Sequence, residues 1–172
     1  MSLPLFKGYY RDRILAAQVR EVDRGWRPNL VVDRCRVLLA AFMRGDRSTG
    51  IRFLLVGRGL PEWDETAPPP PQRSDEALLD PRPVRLPVGI EDIQYLNVAG
   101  ELSAEPTARI QVSMTLEPGQ PPIPARQESC PLREFGLVGR MGRQDFMIDY
   151  VRHPVIHKRA DDTLVRTIRL IF

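Results

Sequence analysis

Apolar positions along the chain fall into two regimes, with the change near Gly50. From Tyr9 to Asp23, YYRDRILAAQVREVD sets Tyr10, Ile14, Ala17 and Val22 near one face of a helix, with arginines and acids elsewhere. Gly25 and Pro28 end that pattern. Asn29 is placed to cap a second helix, in which Val32, Cys35, Leu39, Phe42 and Met43 recur at three- and four-residue steps until Gly45. The two segments predict a helical hairpin with one apolar face on each helix.

After Gly50 the period shortens to that of strands. Ile51 to Val56, IRFLLV, reads as a buried strand closed by a turn at Gly57 and Gly59. Pro61 to Pro83 is a Pro-rich connection with a brief helical turn at SDEALLD. PVRLPV and IQYLNV are strand pieces, the first confined by its prolines to an edge or a bulge. Ala108 to Leu116 alternates strictly between apolar and polar residues, so one face is buried and the other wet. A second Pro-rich loop, PGQPPIPARQESCP, precedes strands at Leu132–Val138, Phe146–Val151 and Thr163–Phe172. Helices first and strands afterwards, with no βαβ alternation, predict an α+β fold. Its parts are a basic helical hairpin extension over 1–49 and a mostly antiparallel β domain, sheet or sandwich, with long Pro-rich loops over 50–172.

Composition changes this picture little. The 172 residues are 42% hydrophobic and 27% charged, enough for one domain with a real core. No apolar run reaches membrane-spanning length, and the charges in Met1 to Arg13 do not suit a signal peptide, so synthesis in the cytoplasm is expected. Cys35 and Cys130 are far apart, which excludes a disulfide framework or zinc cluster and fits a reducing compartment. Charge is more informative. Residues 1–60 hold 12 Lys and Arg against 5 Asp and Glu, residues 61–131 hold 5 against 12, and residues 132–172 hold 8 against 5. Opposite charge along one chain points to pairing, within the fold or between copies in an assembly.

Candidate chemistry is sparse. His153 and His157, in HPVIH, have helical metal-ligand spacing, but Pro154 biases His153 toward extended backbone and no third ligand is set by spacing, so a surface or loop pair is expected. Gly57-Arg58-Gly59 completes neither GxGxxG nor GxxxxGK and reads as a turn. Cys130 lacks an orienting partner, and Glu62, Asp64, Glu65, Asp161 and Asp162 sit in polar turn contexts. No catalytic constellation emerges, so no enzyme activity and no cofactor or metal is expected. The weakest reading is a hydrolase using Cys130 or the acids after Gly59. The arginine-rich first segment supports an alternative, a small nucleic-acid-binding protein using its N-terminal helices, although acids are interleaved and no recognition-module signature is present.

Four stretches, in order, carry a resemblance. IRFLLVGRGLPEWDE, with its turn at Gly57 and Gly59, resembles the strand and turn that open the N-terminal collar-type domain of phage tail-fibre proteins. LLDPRPVRLPV is similar to that family's short Leu-acidic segment before a strand. Leu132-Arg133-Glu134-Phe135-Gly136-Leu137 is similar to its strand bearing a glutamate, an apolar residue, a glycine and a leucine. VRHPVIHKRADDTLVRTIRLIF, with Pro154 and Lys158, resembles its closing segment. In these positions Gly136 suits a bulge or close backbone approach, Glu134 a nearby arginine, and Pro154 a strand edge. The resemblance implies a structural protein of a phage tail, tailocin or contractile injection system, assembled near the baseplate, collar or fibre attachment, oligomeric, and bound to other tail, baseplate or fibre proteins. Fibre proteins of this type continue into trimeric repeats, whereas this sequence stops at Phe172, so a free-standing adaptor incorporated into the particle is expected. Arg13, Arg20, Arg24, Arg34 and Arg36 of the basic extension are the candidate docking residues, with packing on its own domain the competing use of that hairpin.

Overall fold

The computed structural model describes residues 6–16, 21–46 and 48–172. Their elements are β1 (Lys7–Leu15), β2 (Val22–Val31), α1 (Asp33–Arg44), β3 (Ser48–Gly57), β4 (Val84–Pro87), β5 (Ile93–Leu96), β6 (Leu102–Ser103), β7 (Arg109–Leu116), β8 (Ser129–Met141), β9 (Gln144–Met147), β10 (Asp149–Arg159) and β11 (Thr163–Ile171), with 3-10 turns at Pro61–Asp64 and Ile90–Asp92.

The expected helical hairpin is absent, and the α+β class falls with it: the protein is mostly antiparallel β with one long helix among the described residues. The first predicted helix is instead the β1–β2 hairpin. Tyr10 and Ile14 are four apart, which suits a helix, but Asp12 between them is also inward-facing, so the true period is two. A buried carboxylate hid the alternation. Gly25, expected to stop a helix, has φ +69° in a bulge where Arg11 pairs with Trp26 and Arg13 with Asp23. The second predicted helix exists but begins at Asp33. Asn29, its expected cap, lies in β2, and Phe42 and Met43, assigned to its apolar face, are exposed. Gly45 does end the helix, at φ +81° in the left-handed region. The SDEALLD stretch forms no helical turn.

Strands run in the order β4-β3-β8-β10-β2-β1-β11-β7-β5-β6, with β9 added beside β8. Every pairing is antiparallel. The joint between β10 and β2 consists of two residue pairs, Asp149 with Val31 and Tyr150 with Leu30. At that joint the sheet folds over on itself. Phe135 of β8 meets Tyr10 of β1 edge-on at 5.2 Å and lies under the Arg166 guanidinium of β11 at 3.8 Å, contacts that a flat sheet would forbid. The result is a sandwich of two half-sheets, one of β4, β3, β8 and β10, the other of β2, β1, β11, β7, β5 and β6.

The main core, including Leu54, Val56, Val112, Leu116, Phe135, Leu137, Leu164 and Ile168, lies between the half-sheets. A second apolar layer of Val32, Leu55, Leu78, Val138, Met147 and Tyr150 covers the outer face of the β3-β8-β10 half, where the Pro-rich strap after β3 crosses it. The outer face of β1, β11 and β7 carries no such layer among the described residues. β4, containing Pro87, is the short edge strand that its prolines predicted.

Candidate functional site

The most developed polar site is centred on Glu134, in the middle of β8 and fully buried. One carboxylate oxygen, Oε1, accepts the Asp80 N–H at 2.6 Å; the other, Oε2, accepts the Leu79 N–H at 3.1 Å and the Tyr150 hydroxyl at 2.5 Å. It was expected to face an arginine. Main-chain and phenol donors replace that cation, and three donors suffice to hold a carboxylate away from water. Asp80 in turn accepts the Arg58 and Arg82 N–H groups, each at 2.9 Å, which locks the turn after β3 to the strap.

Glycine is required where these pieces touch. A Cβ on Gly57 would sit 2.7 Å from Glu134 Oε1, and one on Gly136 would sit 2.7 Å from the Asp149 carbonyl oxygen. Gly59, at φ +55°, lies against the Trp63 ring. Beside them Arg133 makes a bidentate pair with Asp64, at 2.6 and 2.7 Å, and donates to the Arg58 carbonyl at 2.7 Å. That hydrogen-bonded pairing holds the Asp64 carboxyl below its usual range, against the effect of burial. Asp64 is thus committed to a structural ion pair, the opposite of a free catalytic acid.

The remaining motif residues mark the framework as well. Leu132, Phe135 and Leu137 enter the main core. Pro154 falls in a bulge where pairing with β8 jumps from Arg152 to Ile156, and the pairing of β10 with β2 ends at Tyr150, so at Pro154 β10 has no ladder partner on either side among the described residues. A bulge leaves no ladder hydrogen bond for the missing N–H. Lys158 is buried and donates to the Glu117 and Asp162 carbonyls at 2.9 and 2.6 Å; burial lowers its pKa. It ties the β10–β11 turn to the loop after β7.

A buried triad was missed. Arg166 pairs with Asp12 through two hydrogen bonds, 2.7 and 2.8 Å, and its Nη2 lies 3.2 Å from His153 Nε2. His153 was expected at the surface with His157, yet it is buried, while His157 is exposed and lies near Ser129. Burial first, then Arg166, pushes the His153 pKa down to about 3, so the ring is neutral, donates from Nδ1 to the Pro154 carbonyl and accepts at Nε2. The signal was present in β11, where Arg166 occupies a core position between Leu164 and Ile168. At the half-sheet joint, Asp149 is fully buried and accepts the Leu137 N–H at 2.7 Å and the Asn29 amide at 2.6 Å; desolvation pushes its pKa up to about 7.

The candidate docking arginines are not brought together. Arg13 faces Glu21 at 3.6 Å, Arg24 reaches the Pro154 and Val155 carbonyls of the bulge, Arg34 pairs with Glu76 at 3.0 Å, and Arg36 lies over Phe6. Arg20 lies outside the described residues. Both cysteines are buried, and burial raises Cys130 and pushes Cys35 up to about 12, which keeps the thiols protonated. Among the described residues, no cluster of three metal-ligating side chains occurs and no helix is long and apolar enough to cross a membrane. A cavity of about 270 Å³ between α1, β3 and β5 is almost wholly apolar, lined by Leu38, Leu39, Ile51, Ile93 and Tyr95 among others.

The chain matches no family model, no curated protein and no solved structure.

Proposed function

We propose that this protein is a structural adaptor of a phage tail or phage tail-like contractile injection particle, linking baseplate or fibre parts through protein–protein contacts. One observation carries the reading. The resembling stretches around Gly57, Leu79–Asp80 and Glu134 are separated by 20 to 80 residues of sequence, yet they meet at the Glu134 carboxylate. The shared pattern therefore has a physical basis as a framework device: a buried acid, the backbone donors that satisfy it, and the glycine that makes room. These residues build a scaffold and leave its outer surfaces for partners. The nucleic-acid alternative gains no support, since the first of its two helices is a β-hairpin and Arg11, Arg13 and Arg34 pair with Asp23, Glu21 and Glu76.

The test is particle composition. Purified tails or injection particles from the source cell should contain this protein in fixed ratio, cross-linked to fibre or baseplate components. Particles that lack it, with the protein remaining in the soluble fraction, would overturn the reading.

A further inference from the structure

The uncovered outer face contains a groove of about 250 Å³, lined by Tyr9, Trp26, Val98, Gly100, Arg109 and Arg169 among others. Its walls have the composition of a binding hot spot, aromatic and arginine side chains around an apolar floor. Trp26 lies under the Arg169 guanidinium at 4.3 Å and is 39% exposed, and Val98 at the rim is 87% exposed. Arg11, at the edge, is neutralised by Asp23. Arg109 and Arg169 have no carboxylate within ion-pair distance among the described residues, and Arg169 hydrogen-bonds only the neutral Gln111, at 2.9 Å. Burial and the neighbouring Arg11 lower its pKa, as befits a cation lacking an anion.

The complementary surface is on the opposite outer face. There the turn around Pro61–Asp64 is anchored from inside by buried Trp63 and by the Asp64–Arg133 pair. It presents Leu60, 37% exposed, with Glu62 and Glu65, both exposed and neither in an ion pair among the described residues. An apolar residue flanked by two free acids matches a groove of aromatic walls and two free arginines.

We infer that the Leu60–Glu65 turn of a second copy of this chain docks in the Trp26–Arg169 groove, with Glu62 and Glu65 facing Arg109 and Arg169. Because the two surfaces lie on opposite faces, the contact is heterologous and repeats from copy to copy, forming a ring or a stack. It rests on the assembly reading and specifies one of its contacts.

Sedimentation velocity of the whole protein tests it. At low salt the mean mass should rise with concentration, and it should return to monomer in 1 M NaCl, where the Debye length is about 3 Å. Arg109→Glu with Arg169→Glu should weaken self-association about a hundredfold, the scale of a like-charge juxtaposition, and Glu62→Arg with Glu65→Arg should do the same. Mixing the two double variants should restore association, because each then offers the charge the other lacks. Glu62 and Glu65 are exposed, so thermal unfolding of Glu62→Arg with Glu65→Arg should match the parent; Arg109 and Arg169 are half-buried, and recovery of association in the mixture shows that their double variant is folded. A protein that is monomeric at every concentration at low salt overturns the inference, as does self-association unchanged by either double variant or a mixture that stays monomeric. A monomer still found cross-linked in particles removes this contact alone; self-association in a protein absent from particles removes the tail reading alone.

Discussion

The two half-sheets have the same construction inside and opposite finishes outside. Under the strap, β3, β8 and β10 are closed by a second apolar layer and by the Glu134 network, so that face is completed within one chain. Across the core, β1, β11 and β7 turn Arg11, Arg169 and Gln111 outward with Trp26 and Tyr9 beside them. The difference lies in the connections that leave each set of strands. β3 leads into a long Pro-rich segment that returns over its own sheet, held by Asp80 and Leu79, whereas the connections around β1 and β11 are short. One half is therefore closed by its own chain and the other is left bare among the described residues.

The largest test attacks what both halves share. Arg166→Met leaves the Asp12 carboxylate buried without its cation and should cost about 3–5 kcal/mol in chemical denaturation, while Asp12→Leu combined with Arg166→Met should recover most of that loss. If the double variant is as unstable as the single one, the pair is not the source of the cost. Next in size, Glu134→Ala strips the acceptor from the buried Asp80 N–H and Tyr150 hydroxyl and should cost about 2–3 kcal/mol, since those donors are left unpaired while the exposed Leu79 regains water. Hydrogen exchange should quicken at Leu79 and Asp80 and stay unchanged in β11. Quickening spread evenly over both half-sheets would erase the distinction between them.

A pH series separates the joint from the shared core. His153, held at about 3 against an ordinary 6.5, contributes stability that is full above pH 6.5 and lost as pH falls toward 3. Asp149, raised from 3.8 to about 7, contributes in the opposite sense: full below pH 4 and lost as pH rises through 7. Between about pH 5 and 6.5 the two slopes oppose, so the parent protein should show a nearly flat melting temperature there. Asp149→Asn should tilt that profile upward with pH and raise stability at pH 8. It is sterically mild, because the Asn29 amide, whose Oδ1 has no partner among the described residues, can turn over to accept from it. An unchanged slope would show that Asp149 does not titrate in this window. The smallest effect belongs to the bare face. Trp26→Ala should alter monomer stability by only about 0.5–1 kcal/mol, the scale of a surface change, while abolishing concentration-dependent sedimentation. A larger loss of stability would mean that Trp26 serves its own fold.

Legibility followed the same division. From Ile51 onward most strands were readable, because β7 alternates cleanly and β3 and β8 contain apolar runs beside glycines. Phe146–Val151, one strand by its pattern, is instead where the end of β9 meets the start of β10, and β10 continues to Arg159 through HPVIH, expected as loop. The resemblance also selected residues that meet around one carboxylate, although the partner assigned to Glu134 was wrong: backbone donors leave no trace in side-chain chemistry. Upstream, the reading failed where charge goes inward. Asp12 broke the apparent period of β1, and the histidine pair was divided by a bulge that sends His153 into the core and leaves His157 outside.

By itself the sequence determined the local matters: the strand periods after Gly50, the left-handed helix stop at Gly45, the short proline-bearing edge strand, and the opposite charges of successive segments. Only the tertiary structure decided that Met1–Gly45 contains a β-hairpin, that the sheet folds at a two-pair joint, and that Asp12, Glu134, Asp149, His153 and Arg166 are buried. The reason is physical. Whether an apolar residue is buried follows largely from its own period, but a charged residue enters a core only when a partner meets it, and the partner of Asp12 lies 154 residues away.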